Sequence, residues 1–127
     1  MITRTRIEDG LADFLKDVGA PIIIGKVTPT PDRAVFLNVY DEQYLRDPDR
    51  ANPDVWIQLR GRTRGEDPAP TNALMDNIFR LLDNKSHYRM GDIRVARSIR
   101  VVTTSTEEDS SGRNERADSY KFHLNPS

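Results

Sequence analysis

The first apolar residues recur at helical spacing: Ile7, Leu11, Phe14, Leu15 and Val18 share one face of a helix. Thr5 and Glu8 stand before them as a capping-box pair, Thr5 placed to accept a first-turn N–H and Glu8 to reach back. Gly19 offers a left-handed stop and Pro21 blocks continuation. The spacing predicts a helix over Thr5–Val18. Gly10 inside it costs about 1 kcal/mol relative to alanine, so tertiary packing must hold it.

From Ile22 the period changes. Ile22–Val27 is a continuous apolar, β-branched run, as expected of a strand covered on both faces. Val35, Leu37 and Val39 alternate with Phe36, Asn38 and Tyr40, and Val55, Ile57 and Leu59 alternate with Trp56, Gln58 and Arg60. Both stretches have the period of a strand with one face on the core. The connection Asp41–Asp54 is long and rich in proline and charge, the composition of a working surface loop. Asp67 and Pro68 read as the N-cap and first residue of a second helix. Its stripe of Leu74, Ile78, Leu81 and Leu82 is widened by Met75 and Phe79, which implies apolar neighbours on more than one side. The second flank of that helix is the place to look for a subunit contact.

Beyond Asp92, the residues Ile93, Val95, Ile99 and Val101 share one strand face. Arg97 falls on the same face, so either a bulge re-aims it or the strand end is open enough for it to snorkel. Thr103–Ala117 holds almost nothing apolar and reads as a projecting hairpin or a mobile loop around Gly112. Tyr120, Phe122 and Leu124 then alternate inward along a final strand. There is no internal repeat and no second core. The elements run αβββαββ, which places the chain in the α+β class: a mainly antiparallel sheet of about five strands with two helices packed on it, one domain over residues 1–127.

Composition narrows the function classes. Hydrophobic residues make up 36% and charged residues 31%, which implies a modest core and a large solvated surface. A formal net charge of −1 argues against a dedicated nucleic-acid binder, whose footprint is a strongly basic domain. Without cysteine there is no disulfide framework, thiolate metal site or cysteine nucleophile. No apolar run is long enough to span a membrane and no signal-peptide pattern follows Met1, so the default compartment is a cytoplasm. Asn84-Lys85-Ser86 is accordingly a chance sequon.

The catalytic inventory is empty. His87 and His123 lack metal-ligand spacing, and Asp41, Glu42, Asp47 and Asp49 lack the order of a calcium loop. Gly61 and Gly65 are not followed by the Gly-Lys-Ser/Thr that cradles phosphate, and no Gly-x-Ser-x-Gly elbow occurs. The expectation is a protein with no enzymatic activity, no metal and no cofactor.

Two charged stretches and one aromatic remain. The Arg60–Arg64 turn resembles a short RNA-binding box, but a single copy without interleaved aromatics fits a solvated strand end or subunit salt bridges better. Arg89, Arg94, Arg97 and Arg100 outweigh Asp92, whereas Glu107, Glu108, Asp109, Glu115 and Asp118 outweigh Arg113 and Arg116. Neighbouring patches of opposite sign let repeated subunits dock head to tail, and they also occur on ordinary monomer surfaces. Trp56 points opposite to Val55, Ile57 and Leu59, so it needs either a helix on its side or another subunit. A covering helix is the first expectation.

The order of these pieces carries a resemblance. An apolar strand ends in Gly25-Lys26 and leads to a turn with Pro29, Pro31 and Asp32. A strand ending in an aromatic-acidic pair follows over Phe36–Asp41. Pro53, Val55, Ile57, Gln58, Leu59, Arg60 and Gly61 then fit a PxVQVxxRG strand, and Arg116–Leu124 fits a closing strand. In this layout the chain resembles the small siphophage proteins known as minor capsid or tail terminator proteins. The resemblance implies a virion protein, assembled in the cytoplasm of the host bacterium, that forms a homo-hexameric ring. Such a ring caps the tail tube protein and presents a surface to the head–tail connector or head-closure protein, while DNA passes its channel without specific binding and no membrane is involved. In such a ring the candidate subunit or tail-tube contacts are Trp56, Arg60, Arg62, Met75, Phe79, Arg94, Arg97, Arg100, Glu107, Glu108 and Asp109. The alternatives are another neck or head-closure protein, or a small nucleic-acid-binding domain using the Arg60–Arg64 turn.

Overall fold

The computed structural model describes residues 3–42 and 54–125, so most of the Asp41–Asp54 connection, with Asp47 and Asp49, lies outside the described residues. In chain order the elements are α1 (Arg4–Phe14), β1 (Ile22–Ile24), β2 (Ala34–Glu42), β3 (Asp54–Arg64), α2 (Ala69–Leu82), β4 (Lys85–Met90), β5 (Ile93–Thr103), β6 (Glu107–Glu108) and β7 (Arg113–Leu124). Among the described residues, two helices and a mixed seven-stranded sheet make this an α+β fold. The strands lie in the order β1-β2-β3-β7-β5-β4, with β6 beside β7, and every pair is antiparallel except β1 with β2.

Both helices cover one face of the sheet. The alternating residues Val35, Leu37 and Val39, Val55, Ile57 and Leu59, and Tyr120, Phe122 and Leu124 form one buried cluster with Ile7, Leu11 and Leu15 of the α1 region and with Leu74, Ile78 and Leu82 of α2. The period-2 and helical patterns thus place the core where the sequence puts it. Leu81, expected in the α2 stripe, is 40% exposed instead.

The helix ends differ in detail. The cap of α1 is Thr3, whose Oγ1 accepts the Arg6 N–H at 3.2 Å, and Glu8 is turned into the buried side of the helix. The helix also stops at Phe14, before Gly19, which takes φ +112° in the following turns. Gly10 is explained by packing: a Cβ there would stand 2.6 Å from the carbonyl oxygen of Met90. For α2, the Asp67 carboxylate accepts the Ala69 N–H at 2.9 Å, so Asp67 does satisfy the first turn.

The strands depart further. Ile22–Val27 is not a doubly covered strand: β1 keeps only three residues at a sheet edge, and Ile24 is 41% exposed. In β5 the register slips between Val95 and Arg97 and again between Arg100 and Val102. The first bulge resolves the misplaced Arg97. After it the inward positions become Ser98 and Arg100, so Arg97 and Ile99 face away from the helices, and Val101 is 47% exposed. β4 is an added strand, closed onto β5 by a two-residue turn in which Gly91 has φ +60°.

The polar stretch Thr103–Ala117 does form a hairpin around Gly112, where φ is +73°, but it is built into the sheet and is not a free projection. Glu107 pairs with Glu115 and Glu108 with Asn114, and β7 begins at Arg113, with Asn114, Arg116 and Asp118 buried. Polar partners make that burial possible. Thr71 Oγ1 donates to Asn114 O at 3.2 Å, Asn114 Nδ2 donates to Gly65 O at 2.7 Å, and Thr106 Oγ1 donates to Asn72 Oδ1 at 2.7 Å.

Candidate assembly interface

Arg60 to Arg64 form the end of β3, not a turn, and their side chains alternate across the sheet. Arg62 is completely buried. Its guanidinium donates to the carbonyls of Thr28 (2.7 Å), Pro31 (2.5 Å) and Asp32 (3.2 Å) and lies 4.7 Å from the centre of the Phe36 ring. Burial, and after it the charge of Arg113, lowers its pKa from the ordinary arginine value. Arg113 adds a bond to Pro29 O at 2.6 Å and an ion pair with Asp32 at 3.6 Å. Arginines from two strands therefore fix the 26–33 segment, which contains a cis Thr30–Pro31 bond. Arg62 is a structural anchor and leaves the list of contact candidates.

Met75 leaves it as well. It is fully buried, and a Cβ on Gly61 would collide with its sulfur. Arg100 lies 4.0 Å over the Phe79 ring and 3.6 Å from Asp118, so both members of that pair are engaged within the subunit. Asp118 has no exposure. It accepts from Arg116 Nε and Nη2 at 3.1 and 3.0 Å and from Thr103 Oγ1 at 2.5 Å. Beside this network the Tyr120 hydroxyl is, among the described residues, the one buried side-chain polar atom without a hydrogen-bond partner. Burial raises its pKa, and Asp118 adds to the rise.

Asp109 is a turn-former. Its carboxylate accepts the N–H groups of Arg113 and Ser111 at 2.9 and 2.8 Å and pairs with the Arg113 side chain at 2.9 Å. The Arg113 backbone bond is the largest influence holding its pKa below the ordinary carboxylate value. Arg60 is half-buried and pairs with Glu115 at 3.2 Å.

The remaining candidates are open but not together. Arg94, Arg97, Glu107 and Glu108 are exposed, with Arg97 donating to Asn84 Oδ1 at 2.9 Å. Arg94 lies at the start of β5, and Glu107 lies past its end, about 30 Å apart at strand rise.

Among the described residues no helix lies over Trp56. It lies opposite Lys121 in the ladder, on the face turned away from the core, with the Lys121 ammonium 5.6 Å from its ring centre. That face also carries Gln58, Ser119, Ile99 and His123, whose Nδ1 meets Asp54 Oδ1 at 2.7 Å. Among the described residues no three His, Asp or Glu side chains are grouped to hold a metal, and no helix is long and apolar enough to cross a membrane. Among the described residues, one sheet face carries no helix layer and both sheet edges are open.

No family model and no curated protein matches this sequence. A solved structure does match the fold. A chain in the virion of a native gene transfer agent (GTA) particle superposes with a TM-score of 0.58 at 12% identity, over 89% of this chain and 84% of that one. At that identity the likeness is one of fold.

Proposed function

We propose that the protein is a structural component of a phage-type virion: a tail terminator that forms a ring, caps the tail tube and joins it to the head connector. The observation that carries this reading is the likeness of nearly the whole chain to one from a virion particle. The element order that suggested the family agrees with it. Further support comes from the distribution of surface: among the described residues, one sheet face without a helix layer and open edges at both sides of the sheet suit a subunit completed by neighbours. The mechanism is binding, without chemistry. The ring covers the polymerising surface of the last tube subunits and stops growth. A six-membered ring, the tube and connector partners, and passive passage of DNA through the channel belong to this proposal.

The nucleic-acid alternative is less well supported, because Arg62 is buried and Arg60 is paired with Glu115, which leaves Arg64 as the open arginine of that stretch. Tail-length distributions test the terminator reading. Particles made without this protein should carry tails of uncontrolled length and heads lacking tails, seen by negative-stain microscopy. Tails of normal length, joined to heads, would refute it.

A further inference from the structure

The two edges of the sheet are complementary. β4 pairs with β5 only as far as Ser98, and among the described residues no strand lies on that side of Ile99–Thr103. On the opposite edge, β1 is short and, among the described residues, no strand covers it. Four of the exposed large apolar residues mark these two places: Ile24 (41%) and Val27 (49%) at one, Val101 (47%) and Val102 (56%) at the other. β-branched edges left bare are templates for pairing with another chain.

Their levels agree. The registers carry Ile24 through Leu37, Leu59 and Asp118 to Thr103. Ile23 runs through Phe36, Arg60 and Ala117 to Thr104, whose N–H donates to Ala117 O at 2.9 Å. Their backbone groups agree too. Val35 N–H bonds Pro21 O and Gly25 N–H bonds Leu37 O, both at 2.9 Å, so by alternation the N–H and C=O groups of Ile22 and Ile24 face the open edge. With Thr104 turned toward β7, those of Thr103 and Ser105 face outward. Directions also match. β1 runs with β2, and β2, β3, β7 and β5 alternate, so a copy related by rotation about an axis along the strands sets its β5 antiparallel to β1.

We propose that β1 of one copy adds as an antiparallel strand to the Val102–Ser105 edge of the next, Ile24 opposite Thr103 and Ile22 opposite Ser105. This rests on the ring reading above and names the contact that closes the ring. Charge supports a second copy as the occupant. Continuing the register brings Glu107 and Glu108 beside Ala20 and Gly19, where the exposed Arg33 donates to Gly19 O at 2.7 Å. The contact is heterologous, so it propagates around a ring and does not stop at a dimer.

Because the natural chain has no cysteine, a pair of introduced thiols is unambiguous. Opposed residues of a non-hydrogen-bonded antiparallel pair have Cα atoms about 4.5 Å apart, inside the about 4.4–6.8 Å that a disulfide spans. Ile23→Cys with Thr104→Cys should give, on oxidation of the assembled protein, a covalent ladder ending at the ring's copy number. Ile23→Cys with Val101→Cys, about 10 Å off level, should give none. In the unmodified protein, amides of Ile22, Ile24, Thr103 and Ser105 should exchange on the order of tenfold or more slowly once assembled. A ring by light scattering with no ladder and no new protection overturns the edge contact and leaves the ring standing. Covalent dimers from Thr104→Cys alone mean that like edges meet, which also overturns it. An unmodified protein that stays monomeric beside tail tube overturns both contact and ring.

Discussion

Arg62 sits at a position where charge and exposure usually go together, yet three backbone carbonyls and an aromatic face replace its water. Its removal leaves those carbonyls without their donor. Arg62→Met should lower stability by about 2–3 kcal/mol, read as a fall in denaturant midpoint. Arg62→Lys should recover only part, because a compact ammonium cannot reproduce a planar fork. Tyr120 is the opposite case. Its buried hydroxyl has no partner, so Tyr120→Phe should leave stability within about 1 kcal/mol of the parent and not below it. Asp109 supplies a pH dependence. Its folded pKa is depressed, so the turn it caps is fully supported above the ordinary carboxylate range and loosens as pH falls through the lowered folded value. The amide resonances of Ser111 and Arg113 should move together in that acid window, and spectra that stay unchanged there would dismiss the turn-forming role.

Among the elements, α1 shows where propensity and packing disagree. Gly10→Ala improves intrinsic helix propensity by about 1 kcal/mol. The new methyl would meet Met90 O at 2.6 Å, so the net effect on melting temperature should be a fall. Elements whose burial is apolar were legible in the sequence: α1, α2, the inward residues of β2 and β3, and Tyr120, Phe122 and Leu124. Those whose burial is polar were not. β6 and the start of β7 are held by Arg116–Asp118, Asn114–Gly65 and Thr106–Asn72, and no hydrophobic alternation announces such pairs. β4 hid because its residues are mostly exposed, although Gly91-Asp92 between Met90 and Ile93 is a two-residue hairpin signal. The internal roles of two contact candidates were hidden for a related reason. Arg62 and Arg100 find their partners across the fold, far from their own neighbours in sequence.

At the scale of the whole molecule, the described helices cover one face of the sheet and leave the other bare. Trp56 stands on the bare face, half-buried, so Trp56→Ala should cost the isolated subunit well under the about 3–5 kcal/mol of a core aromatic and weaken assembly more than folding. Melting temperature and light scattering on the same sample separate the two effects. The account rests on the protein completing itself with further copies. The direct test is the mass of the purified protein by light scattering, alone and with tail tube added. The account predicts a discrete closed assembly of 14.5 kDa chains, six in the proposed ring, formed alone or on the tube and bound at its end. A species that stays at 14.5 kDa in both samples and leaves tube growth unchanged would contradict it.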